Sequence, residues 1–75
     1  MKKTIDQTLQ QAIILHQESK LEEARIFYRK ILKIEPNHAV ANHNLGSIEL
    51  NMNNTEVAKS FFKKAIKTNP NFADA

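Results

Sequence analysis

The sequence predicts an all-α chain of two antiparallel helix hairpins stacked side by side. Three observations carry this: a composition rich in helix formers, a spacing of 34 residues at which the sequence repeats, and apolar residues at helical intervals within each unit. One Gly, two Pro and five aromatics accompany many Ala, Leu, Ile, Lys, Glu and Gln. Laying residues 5 to 38 over 39 to 72 pairs Ile14/Ile48, Glu22/Glu56, Ala24/Ala58, Phe27/Phe61, Lys30/Lys64, Lys33/Lys67, Pro36/Pro70 and Asn37/Asn71. That is about four times the roughly two identities expected by chance. The chain divides into an N-terminal extension (1–4), two repeats (5–38 and 39–72) and the start of a third (73–75).

Four helices are expected, over 5–17, 21–34, 39–51 and 55–68. The first is the poorest in apolar residues. The second places Leu21, Ala24, Phe27, Tyr28, Ile31 and Leu32 on one stripe and Glu22, Arg25, Arg29, Lys30 and Lys33 opposite. The third is rich in Asn and Ser, with Asn42, His43, Asn44, Ser47, Asn51 and the following Asn53 read as a polar face that the core does not need. The fourth repeats the second with Val57, Ala58, Phe61, Phe62, Ala65 and Ile66. Ser19-x-x-Glu22 and Asn53-x-x-Glu56 have the form of capping boxes, and Pro36 and Pro70 stop each unit. Connections of three or four residues require each helix pair to fold back as a hairpin. Ala12, Gly46, Ala24 and Ala58 are the small residues expected where helices cross.

Several function classes drop out. The absence of cysteine removes disulfides and thiolate sites. No stretch resembles a signal peptide or a membrane span, so the chain reads as cytoplasmic with no membrane partner. His16, His38 and His43 show no metal-binding spacing, and no nucleophile set, phosphate-cradling loop or paired carboxylates appear; no enzyme activity, metal or cofactor is expected. The net charge of +3 permits an electrostatic partner without demanding one.

These features resemble the tetratricopeptide repeat family, whose unit is a 34-residue helix-turn-helix. Unit two carries Asn44-Leu45-Gly46, Ala58, Phe62, Ala65 and Pro70 at family positions, and unit one carries Ala12, Ala24, Tyr28, Leu32 and Pro36. Departures are Thr8 and Gln11, where the family has a large aromatic and a Leu, Ile31, where it has Ala, and Ser19 and Asn53, where it prefers Gly in the turn.

The resemblance implies a concave groove for a protein or peptide, lined by the first helix of each unit. Its expected residues are Gln10, Ile13 and His16 from unit one, then Val40, His43, Asn44, Ser47 and Asn51 from unit two, with Asp6, Leu9, Gln17 and Leu50 beside them. Asn44 is the leading candidate, because an amide both donates and accepts to an extended backbone. A carboxylate clamp of the chaperone-binding kind is not expected, since Leu9, Ile13 and Asp74 replace its residues. Val57, Phe61, Ala65 and Phe72 form an open end, expected either to self-associate into a homo-oligomer or to meet a further repeat of a longer chain. Two other readings stand beside this. The chain is also similar to repeat arms preceding bacterial glycosyltransferase, sulfotransferase or methyltransferase domains. Arg29, Lys30, Lys33, Lys63, Lys64 and Lys67 form a basic stripe that could bind nucleic acid weakly, a partner ranked last because Glu22, Glu35 and Glu56 interrupt it and only Tyr28 offers stacking.

Overall fold

A computed structural model describes residues 4–69. Its helices are α1 (Ile5–Gln17), α2 (Leu21–Ile34), α3 (Ala39–Asn51) and α4 (Thr55–Thr68), with the bounds the periodicity predicts. α1 packs on α2, α3 on α4, and the two hairpins join through α2 and α3. Pro70 and the residues after it, Phe72 included, lie outside the described residues.

At the turns between paired helices the capping-box expectation fails, while the turn positions at which the resemblance prefers Gly hold. Ser19 and Asn53 are not helix caps; both are in the left-handed region, at φ 62° and 65°. Each closes the preceding helix: Lys20 N–H bonds Leu15 O at 2.9 Å and Ser19 N–H bonds His16 O at 3.0 Å, a pattern repeated by Asn54 to Glu49 (2.8 Å) and Asn53 to Leu50 (3.0 Å). This paired arrangement satisfies carbonyls that would otherwise be orphaned at a helix end, and it requires a left-handed residue. Ser19 and Asn53 are thereby one residue too early to cap α2 and α4, whose N-caps are Lys20 and Asn54, neither with a side-chain cap bond. The capping box lies instead at Thr4, whose Oγ1 accepts from Gln7 N–H while Gln7 Oε1 accepts from Thr4 N–H, both at 3.1 Å. A left-handed serine costs about 1 kcal/mol that glycine avoids. Ser19→Gly is therefore expected to raise the thermal midpoint by a few degrees, and Asn53→Gly by less, because asparagine tolerates this conformation. Thermal melts followed by circular dichroism check this; a lower midpoint for Ser19→Gly would refute it.

Small residues let the helices approach. Ala12, Ala24, Ala41, Ala58 and Ala65 are buried, and a Cβ on Gly46 would sit 2.9 Å from Phe62 Cε1. Around them pack Leu15, Tyr28, Ile31, Leu45 and Ile48. The stripe on α2 is covered as expected, but on α4 Val57 and Ile66 remain exposed. For Ile66 the reason is positional: Leu32, one repeat earlier, is partly buried because α3 packs on α2, whereas no further helix packs on α4 among the described residues; Val57 follows Glu23 by one repeat, and that position is exposed in both units.

Two polar residues belong to this core. Asn42 is fully buried rather than part of an outward polar face; its Nδ2 donates to Pro36 O and His38 O, both at 3.1 Å, tying the seam between hairpins. Glu49 is also fully buried, with Oε2 2.9 Å from Arg25 Nε and 3.7 Å from Arg29 Nη2 and with Oε1 accepting from Asn54 Nδ2 at 2.8 Å. These contacts bind α2 to the α3–α4 turn. His38 caps α3 through Nδ1, which accepts from Ala41 N–H at 3.2 Å.

Candidate partner-binding face

Every residue expected in the groove sits on α1 or α3, and all eight retain solvent access. Gln10 and Asn51 are exposed; Ile13, His16, Val40, His43, Asn44 and Ser47 are half-buried. Four of them form one contiguous set around Tyr28. Asn44 Nδ2 donates to Tyr28 Oη at 3.1 Å, and Asn44 Oδ1 lies 3.4 Å from His43 Nδ1. His16 meets the Tyr28 ring edge-on with centroids 6.1 Å apart, and Ser47 Oγ donates to His43 O at 3.3 Å. His43 in turn packs edge-on against Phe62 at 5.6 Å.

This arrangement holds Asn44 in one orientation while leaving it capacity. A side-chain amide has two N–H donors and two acceptor lone pairs, and the internal contacts use one of each. The remainder matches a peptide unit, which has one donor and one acceptor. Tyr28 is the residue that sequence reasoning misses: it belongs to the core, but its hydroxyl also orients Asn44 from beneath. Helical spacing marks Tyr28 as inward-facing, but says nothing of which α3 side chain its hydroxyl meets. Among the described residues, Gln10, Val40 and Asn51 are not linked to the set by a hydrogen bond or ring contact.

The remaining candidates are distributed differently. Ala65 is wholly buried and offers no surface to a second copy; Val57 is exposed, and Phe61 is half-buried with Lys64 Nζ 5.9 Å from its ring centroid. Arg29, Lys30, Lys33, Lys63, Lys64 and Lys67 are all exposed on α2 and α4. Tyr28, however, is fully buried and cannot stack on a base. Concavities occur on this α2–α4 side, and none includes a residue of the expected groove.

Among the described residues, no group of three or more His, Cys, Asp or Glu could hold a metal ion, and no helix is long and apolar enough to cross a membrane. A comparison with curated proteins found no match. The family model for the tetratricopeptide repeat matches residues 9–38 and then 39–72, one match within each hairpin of the pair. The chain therefore belongs to the tetratricopeptide repeat family.

Proposed function

We propose that the chain is a protein-interaction module that takes an extended peptide segment along the face formed by α1 and α3. The observation that carries this is Asn44, held by Tyr28 Oη yet half-exposed with a free donor and acceptor. Binding energy would come from two sources. His43, Asn44 and Ser47 offer hydrogen bonds to ligand backbone, and Ile13 and Val40 offer half-buried apolar surface beside them. Backbone pairing tolerates varied ligand sequences, and the apolar positions select among them.

The test begins with peptides selected from a random displayed library against the intact chain. Asn44→Ala is expected to weaken a selected peptide by about tenfold, corresponding to about 1.4 kcal/mol, with Gln10→Ala smaller in effect. Fluorescence anisotropy gives the affinities. Equal affinity for the parent and a variant combining Gln10, His43, Asn44 and Ser47 replacements would reject the groove.

A further inference from the structure

We infer that the α2–α4 side carries a second docking site, independent of the α1–α3 face, for an acidic peptide segment bearing apolar side chains. Its centre is a notch of about 350 Å³ between the hairpins. Arg29, Lys33 and Lys64 stand on its walls, and Leu32, Pro36 and Phe61 supply the accessible apolar part above the fully buried Leu45. One repeat earlier a sister notch of about 380 Å³ recurs, where Thr8, Phe27 and Lys30 take the places of Asn42, Phe61 and Lys64. Lys33 borders both. The notches thus share a small polar residue, a phenyl ring and a lysine over that ring, at 5.1 Å for Lys30 on Phe27 and 5.9 Å for Lys64 on Phe61.

Two features define the chemistry of the occupant. Among the described residues, Lys30, Lys33 and Lys64 make no ion pair within 4.0 Å and Arg29 shares Glu49 with Arg25, so positive charge is in excess and calls for carboxylates. The apolar floor calls for an aliphatic or aromatic group between those carboxylates, which a nucleic-acid backbone lacks. Tyr28 is buried and offers no ring for a base to stack on. A flat bilayer would engage protruding apolar residues rather than a concave notch.

The probe is a fluorescent peptide alternating Leu and Glu, titrated into the intact chain at low salt. Lys33→Glu and Lys64→Glu are each expected to weaken binding by about tenfold, and Asn44→Ala to leave it unchanged. Lys63→Glu makes the same charge change on α4 outside both notches and is expected to have a much smaller effect; circular dichroism confirms that each variant folds. Equal losses from Lys63→Glu and Lys64→Glu, or equal binding of a Ser–Glu peptide, would reduce the effect to unspecific charge and overturn the site. So would displacement of the peptide by lower concentrations of polyuridylate or of anionic vesicles, which would assign the surface to RNA or to lipid.

Discussion

Arg25→Ala is expected to unfold a large part of the population at room temperature, although Arg25 lies near the surface. Its Nε is 2.9 Å from the Oε2 of Glu49, a carboxylate with no solvent exposure. Removing one partner of a buried pair costs about 3–5 kcal/mol, because the remaining charge is left without compensation. The Arg25 side chain is 28% exposed and Arg29 offers a second, longer contact at 3.7 Å, so the lower end of that range applies. A chain of this size has only about 3–5 kcal/mol in total. Glu49→Leu is expected to cost less than Arg25→Ala, since it removes the buried charge and fills the site with apolar volume, while both arginines can turn to water. Adding Arg25→Ala to Glu49→Leu should then change little. Urea midpoints of the three variants decide this: an Arg25→Ala midpoint equal to the parent's would show that Glu49 does not depend on that partner.

Tyr28→Ala is expected to be comparably damaging, and it reaches the candidate site as well. Tyr28 is the largest fully buried side chain, and truncating a buried aromatic costs about 3–5 kcal/mol. Tyr28→Phe isolates the hydroxyl. It removes the acceptor of Asn44 Nδ2 at a cost of about 0.5–1.5 kcal/mol, and it frees Asn44 to rotate, so binding of a groove peptide should weaken although residue 28 touches no ligand. The phenol also gives the fold an alkaline limit. Burial raises the Tyr28 pKa, and the hydrogen bond from Asn44 lowers it by less. A group bound more tightly to its proton in the folded state contributes stability that is complete below its unfolded pKa, about 10, and is lost as pH rises through the higher folded value. Stability should fall above about pH 10 in the parent, and Tyr28→Phe should flatten that fall. Equal pH dependence in both proteins would remove Tyr28 as the cause.

Much of the architecture is legible because local rules and the repeat agree. The helix bounds follow from apolar spacing and from the prolines, and the crossings follow from Ala12, Ala24, Gly46 and Ala58. The turns read wrongly at Ser19 and Asn53 because a Ser or Asn three residues before Glu fits both a cap and a left-handed helix end, and only the chain path decides between them. Asn42 reads as surface because polar residues usually are, and the spacing singles out nothing about Glu49. Asn42 is tied to the local carbonyls of Pro36 and His38 in the seam, whereas the partner of Glu49, Arg25, lies 24 positions away in the sequence and is reached only through tertiary packing. For the candidate face, helical spacing and the resemblance bring out Asn44 and His43, while the Tyr28 hydroxyl beneath them is visible only once α2 and α3 are packed.

The most direct test of the interaction face is to map, by amide chemical-shift changes in the intact chain, where a peptide selected from a random library without Asp or Glu binds. The largest changes are expected in α1 and α3, centred on His16, His43, Asn44 and Ser47, with a loss of those changes in Asn44→Ala. Changes confined to α2 and α4, or an unaltered pattern in Asn44→Ala, would contradict a peptide site on the α1–α3 face.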